Sequence, residues 1–427
     1  MGTALFTDHY ELTMLASAQG DGSAARRCVF EVFARRLPHG RRYGVVAGVD
    51  RVLSAIEAFT FDPGTLAHLT DRGVVDAATA SWLAGYRFGG DVEAYPEGEL
   101  YFPGSPVLTV TGTFAEAVVL ETVVLSILNH DTAVASAAAR MVTAAKDRPL
   151  IEMGSRRTHE EAAVAAARAA YLAGFAATSN LEAGRRHGIP TGGTSAHSFT
   201  LLHDAEKAAF AGQVAALGVG TTLLVDTYDL TQGIRTAVEV AGPGLRAIRI
   251  DSGDLAVLAV QARELLDSLG ATGTRIVVSG DLDEYAIAAL AIAPVDTYGA
   301  GTAVVTGSGA PTAGFVYKLV EVDGRPVAKR SESKESRGGR KTAVRRHKPT
   351  GTAIEEVVVA QGLPEPREHD RPLQRPFMQG GVRVPDLPTL DQSREHLRAA
   401  LVSIPWEGLK LSPGEPSIPV IFEEATR

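Results

Sequence analysis

A single cysteine, Cys28, in 427 residues excludes an internal disulfide and a multi-cysteine metal centre, as suits a reducing compartment. Flanked by Arg27 and Val29, its thiol reads as strand packing rather than as a nucleophile. Basic charge is not in excess either: 42 Lys and Arg face 50 Asp and Glu, a formal net charge of -8. That balance argues against a nucleic-acid scaffold or a polybasic membrane binder and favours small anions as ligands. No uncharged apolar run of about 18 residues occurs. The first nineteen residues carry Asp8 and Glu11 where a secretory signal would be apolar, so the protein is expected in the cytoplasm. There is no G-x-x-x-x-G-K-[ST], so any ATP must bind elsewhere than on a P-loop.

The length suits roughly two or three domains, and 45% hydrophobic residues suffice for large cores. Near the start, Thr7 or Asp8 is placed to cap a helix with Leu12 and Leu15 inward and His9 and Tyr10 in its first turn. A strand is expected over 28–33. The basic run Arg35, Arg36, Arg41 and Arg42 around Pro38-His39-Gly40 then reads as a solvated loop or as an anion clamp. Residues 45–90 read as amphipathic helices and 91–113 as strands. A long helix over 116–145 is expected to break at Asn129-His130-Asp131-Thr132.

From about residue 148 the pattern becomes strand, polar tip, helix. Short apolar strands are expected at 150–153, 175–178, 189–194, 222–225, 247–250, 275–278 and 295–298, spaced as in a parallel sheet buried on both faces. Such a repeat predicts an α/β chain with an irregular (β/α) TIM-like barrel, whose C-terminal tips converge on one mouth. Another strand, 315–322, bears Lys318; residues 323–349, rich in Lys, Arg and Gly, read as a basic lid or a solvated hairpin. The barrel is therefore assigned to 136–349, and an α+β sandwich to 1–135 with 350–427.

The tips carry the chemistry. Pro190-Thr191-Gly192-Gly193-Thr194-Ser195-Ala196-His197-Ser198-Phe199 sets glycines and hydroxyls beside one imidazole; His197 is either a catalytic group or a satisfied core histidine. Asp226, Asp229, Asp251 and Asp254 bring like charges together, which a magnesium ion carried by a polyphosphate would relieve. His197 and His203 match no strong transition-metal spacing. Arg156, Arg157 and Arg249 suit a carboxylate or phosphate, and Ser279-Gly280 with Gly299-Ala300-Gly301-Thr302 offers N–H groups and hydroxyls to a phosphate.

In order along most of the chain, Thr7-Asp8-His9-Tyr10-Glu11-Leu12, Glu152-Met153-Gly154-Ser155-Arg156-Arg157, Thr178-Ser179-Asn180, Gly193-Thr194-Ser195-Ala196-His197-Ser198-Phe199, Asp226-Thr227-Tyr228-Asp229, Arg249-Ile250-Asp251-Ser252-Gly253-Asp254 and Tyr298-Gly299-Ala300-Gly301-Thr302 resemble the nicotinate phosphoribosyltransferases. The resemblance implies formation of nicotinate mononucleotide and pyrophosphate from nicotinate and 5-phosphoribosyl 1-diphosphate, with ATP and Mg2+. It implies a sandwich domain similar to the N-terminal domain of quinolinate phosphoribosyltransferase. His197 matches the family's phosphorylated histidine, and Asp226 and Asp251 match carboxylates that orient magnesium or stabilise the ribosyl cation. Tyr10 matches a tyrosine that stacks on the pyridine ring from a neighbouring subunit, implying a homodimer with shared sites. Met153, Arg156, Ser179 and Arg249 then line the nicotinate site, and Ser195, Gly280, Gly299, Gly301, Thr302 and Lys318 the phosphate sites. Met153 departs from the aromatic residue often found there, and its thioether can still pack on a ring. Ser179 stands where nicotinamide-using relatives tend to carry aspartate, which favours the acid. The alternatives are a nicotinamide enzyme and a non-catalytic metabolite-binding barrel.

Overall fold

Leu150–Glu152, Ala177–Thr178, Thr222–Leu224, Ala247–Ile250, Arg275–Val278 and Thr297–Ala300 are too apolar to face water on either side, and they form one parallel sheet. The computed structural model describes residues 2–329 and 336–423. It divides into two compact units, Ala137–Gly309, which holds this sheet, and Met1–Ser136 with Ala310–Arg427. In the sheet, Leu150–Glu152 pairs with both Ala177–Thr178 and Thr297–Ala300; Arg275–Val278, Ala247–Ile250 and Thr222–Leu224 follow in turn. Parallel neighbours require crossovers, and helices Glu160–Ala173, Leu230–Ala241 and Leu255–Ser268 provide three of them.

The strand expected at 189–194 is reduced to a single bridge between Thr178 and Thr191. Pro190 lacks an N–H, and Gly192 and Gly193 have no side chains to pack, so a ladder there has little to hold it. No ladder joins Ala177–Thr178 to Thr222–Leu224 among the described residues. The last strand runs two residues later than expected, at Thr297–Ala300, beyond Pro294.

The other unit is built on a seven-stranded antiparallel sheet. Its order is Arg325–Pro326, Phe315–Val322, Arg27–Ala34, Leu108–Thr113, Asp91–Ala94, Arg375–Gln379 and Val382–Arg383. Phe30 and Val32 of its third strand share a core with Val52, Leu53 and Ile56 of helix Val49–Glu57, and Leu12 and Leu15 of helix His9–Gly20 join it. A four-stranded sheet adds Asp370–Pro372, Lys341–His347, Ala353–Ala360 and Val420–Glu423.

Three expectations change here. Residues 310–349 belong with the sandwich side rather than the barrel side, because Phe315–Val322 pairs along Arg27–Ala34. The basic 323–349 stretch is not wholly a lid: Lys341, Arg345 and Arg346 are buried on a strand, facing Glu31, Glu99 with Glu356, and Glu355 with Glu423. Arg330 and Lys334 lie outside the described residues. Helix Glu121–Ala145 also runs unbroken through Asn129-His130-Asp131-Thr132. Those polar side chains reach outward instead: Asp131 accepts from Arg51 at 2.6 Å and Thr132 Oγ1 accepts from Ala47 N at 3.2 Å. The stretch Phe114–Ala145 is long and apolar enough to cross a membrane, but 61% of its apolar window is buried inside the protein, as in a core helix.

Candidate active site

Within the Ala137–Gly309 unit, the carboxyl ends of the parallel strands surround a cleft with two lobes. One, of about 420 Å³, is lined by Ser155, Ser179 and the loop from Gly192 to His197. The other, of about 260 Å³, is lined by Arg157, Ser279, Gly280, Asp281, Gly299, Gly301 and Thr302. Met153, Arg156, Arg249 and Asp251 line both, so the lobes are parts of one site. Two cavities of the other unit, of about 380 and 450 Å³, are mainly apolar, and each is lined by a single arginine.

His197 opens the short helix His197–Leu201 rather than ending a strand. Its Nε2 lies 3.2 Å from Asp226 Oδ1, and its Nδ1 has no hydrogen-bond partner among the described residues. Asp226 is held from its other side: Oδ2 accepts from Asp251 N at 2.8 Å and from Ser252 Oγ at 2.9 Å. The imidazole side chain is 39% exposed and the Asp226 side chain 6%, so a fixed carboxylate orients an accessible ring. His203 instead bonds the carbonyl of Phe199 through Nδ1, within its own turn.

Arg249 is built into the wall. It donates to Ser279 Oγ at 2.9 Å, to Thr194 Oγ1 at 2.8 Å and to Ser195 O at 3.2 Å, and it lies 3.2 Å from Asp251 Oδ1. Ser279 also donates to Asp251 Oδ1, which leaves Oδ2 of Asp251 without a protein partner among the described residues. Arg156 and Arg157, by contrast, are exposed, and their side chains have no ion-pair or hydrogen-bond partner among the described residues. Two unpaired guanidinium groups at a cleft mouth make an anion site.

Glycines shape the second lobe. Gly280 has φ +124°, and a Cβ there would also meet Asp251 O at 3.1 Å; a Cβ at Gly299 would lie 2.8 Å from Met153 Sδ. The thioether of Met153 therefore packs directly on the Gly299 backbone.

The four tip aspartates divide into two roles. Asp229 accepts from Gln232 N at 2.8 Å and caps Leu230–Ala241, while Asp254 accepts from Val257 N at 3.3 Å and caps Leu255–Ser268. Of the four, Asp251 lines the cleft and Asp226 stands behind His197 at its wall. Among the described residues no cluster of three or more His, Cys, Asp and Glu is arranged to hold a metal ion. That donor set still suits a magnesium ion brought in on a phosphorylated ligand, which needs only one or two carboxylate oxygens from the protein.

Tyr10 and Lys318 belong to the other unit. Lys318 Nζ lies 3.6 Å from Glu121 Oε1; burial, with Glu121 and Glu11 nearby, pushes the Tyr10 hydroxyl up to about 12. Sequence reasoning gave no role to Glu152, Thr178 or Asn180, and offered the Thr194 hydroxyl to an anion, where it accepts from Arg249 instead. Glu152 is 1% exposed; burial raises its carboxyl above the ordinary value, while hydrogen bonds from Thr178 and Gly154 oppose the rise. A glutamate closing an apolar strand and an asparagine three residues before Ala183, at an N-cap position, were the available signals.

A mixed α/β fold with unpaired arginines, clustered hydroxyls and a carboxylate-held imidazole around one cleft defines an enzyme that handles anionic substrates. Residues 5–129 match the family described as the nicotinate phosphoribosyltransferase (NAPRTase) N-terminal domain. The chain is 63% identical over 424 residues to the nicotinate phosphoribosyltransferase pncB1 of Mycobacterium tuberculosis, covering 97% of this chain and 94% of that one. It is similar in structure to human nicotinic acid phosphoribosyltransferase, with a TM-score of 0.86, 26% identity and 98% and 97% of the two chains covered. A nicotinate-nucleotide pyrophosphorylase from Pyrococcus furiosus aligns with a TM-score of 0.79 and 26% identity over 93% and 94% of the chains. The chain belongs to the nicotinate phosphoribosyltransferase family.

Proposed function

We propose that the cleft joins nicotinate to the ribosyl group of 5-phosphoribosyl 1-diphosphate, releasing pyrophosphate and nicotinate mononucleotide, and that ATP hydrolysis drives the reaction through phosphorylated His197. The observation that supports this most is the combination of Arg156 and Arg157, whose guanidinium groups have no partner among the described residues, with a His197 ring whose Nε2 faces Asp226 and whose Nδ1 has none among them either. A carboxylate opposite Nε2 selects the tautomer with its proton there, so the Nδ1 lone pair is the nucleophile. As Nδ1 bonds the γ-phosphorus of ATP and ADP departs, the ring becomes cationic and Asp226 offsets that charge. Water later cleaves the P–N bond, returning neutral His197 and inorganic phosphate.

In the transfer step the bond from ribose C1 to pyrophosphate lengthens as the pyridine nitrogen approaches, leaving positive charge on the sugar. Asp251, with Oδ2 open, is the carboxylate placed to meet that charge. Mg2+ bound with the pyrophosphate would neutralise the leaving group, and Asp251 rather than the fully engaged Asp226 would contact it. Gly280, Gly299, Gly301, Thr302 and Ser195 would cradle phosphate, while Met153, Arg156, Ser179 and Arg249 would hold nicotinate. Ser179 is neutral and so does not repel the nicotinate carboxylate. We read the sheet with its Thr191 bridge as an irregular barrel open on one side. Tyr10 would stack on the ring from the second subunit of a cytoplasmic homodimer, and Lys318 would join the phosphate contacts.

The test is product analysis with purified protein, 5-phosphoribosyl 1-diphosphate and nicotinate, nicotinamide or quinolinate, each with and without ATP and magnesium. Nicotinate mononucleotide alone, stimulated by ATP, is expected. Preference for nicotinamide would remove the Ser179 argument; no product from any acceptor would leave a metabolite-binding barrel.

A further inference from the structure

Glu152 is not part of the cleft lining, yet its side-chain contacts lead to the cleft wall. Oε1 accepts from Gly154 N, and Oε2 accepts from Thr178 Oγ1 at 2.5 Å. The same Thr178 Oγ1 accepts from Asn180 N at 2.9 Å, and Asn180 Nδ2 donates to Ser155 Oγ at 3.0 Å. With the backbone from Ser155 back to Glu152, these bonds close a ring. One arc of it leads into Arg156 and the other contains Ser179. The backbone reinforces it: Ser179 N donates to Glu152 O at 2.8 Å, and Gly192 N to Thr178 O at 3.0 Å, which ties in the loop leading to His197.

The residue types suit the ring and little else. Both partners of the Glu152 carboxyl are donors, and an ionised carboxylate offers two acceptor oxygens with no competing donor. Gly154 has no room for a side chain, since a Cβ there would lie 2.2 Å from Val305 Cγ1. Thr178 is fully buried, so its hydroxyl has no water to turn to if Glu152 is lost.

We infer that Glu152 is a positioning residue: through the closed ring with Thr178, Asn180 and Ser155 it sets the spacing between Arg156 and Ser179, and with it the fit of the cleft to an aromatic carboxylate. This rests on the nicotinate reading given above. Thr178→Val keeps the branched shape and deletes the hydroxyl that joins both arcs, whereas Thr178→Ser keeps the hydroxyl. Glu152→Gln leaves one acceptor where two are used.

The experiment is steady-state kinetics on the full chain, varying nicotinate and 5-phosphoribosyl 1-diphosphate separately, with the thermal midpoint of each variant measured alongside. Thr178→Val and Glu152→Gln are expected to raise KM for nicotinate on the order of tenfold and leave KM for the sugar diphosphate within about twofold. Thr178→Ser is expected to restore the wild-type KM, and the preference for nicotinate over nicotinamide to narrow with the ring open. Folded Val and Gln variants with an unchanged KM for nicotinate would overturn the inference. Equal rises in both KM values, the mark of a general loss of packing, would overturn it too. A wild-type protein that does not use nicotinate would instead overturn the functional reading on which it rests.

Discussion

At the scale of single residues, the cleft separates groups that act from groups that hold them. His197→Ala is expected to abolish ATP hydrolysis while a slower, ATP-independent transfer persists; phosphate release and nucleotide formation, assayed separately, check this, and full ATPase activity would remove the phosphohistidine. Asp226→Asn keeps the shape but turns an amide toward Asp251 N, Ser252 Oγ or His197 Nε2, all placed as donors to the carboxylate. A loss of about 10²-fold in ATP-coupled turnover is expected, since the wrong tautomer is no longer excluded. Asp229→Ala should behave differently: loss of a helix N-cap costs about 1 kcal/mol of stability. Denaturation midpoints and turnover measured together test the division, and a collapse of kcat without loss of stability would return Asp229 to the chemistry.

Elements show what a sequence can and cannot declare. The parallel strands were legible because strands buried on both faces read as short apolar runs, and their tips could be grouped because parallel strands all end on the same side. Ile189 to Thr194 had the apolar start of such a run, but Pro190 and the paired glycines leave only the Thr191 bridge. That His197, Arg156 and Arg249 line the cleft was legible, because they stand at tips. The roles of Asp229 and Asp254 were not, because an aspartate ahead of a helix caps it whether or not a ligand is near. Lys341, Arg345 and Arg346 looked like part of a solvated charge run. Their strand could not be inferred locally, since Glu31 lies 310 residues from Lys341 and Glu99 lies 246 from Arg345.

Across the whole molecule, those buried charges make stability depend on acid. Burial alone would raise the Glu99 carboxyl, but Arg345, His396 and Arg371 around it hold it well below the ordinary value. A carboxylate depressed in the folded state contributes stability above the unfolded pKa of about 4, and the contribution is lost as pH falls through the folded value. The protein is therefore expected to lose stability progressively below about pH 5, and Glu99→Gln to flatten that dependence. Neutralising Glu99 leaves Arg345 buried with Glu356 as its one remaining carboxylate and takes a charge away from Arg371 and His396, so the same variant should cost about 3–5 kcal/mol at neutral pH; denaturant midpoints from pH 3 to 8 measure both effects.

The strand Arg27–Ala34 pairs on one edge with Leu108–Thr113 but finds its other neighbour only in Phe315–Val322, with the whole of the Ala137–Gly309 unit made in between. On the ribosome, at roughly 5–20 residues per second, that first strand waits on the order of tens of seconds with one edge bare. The catalytic unit, complete in one uninterrupted stretch, can assemble before the unit that begins the chain. A nonsense mutation or stalled ribosome between residues 309 and 315 would therefore leave a chain with the whole cleft unit made and an orphaned, aggregation-prone sheet edge for chaperones to cover.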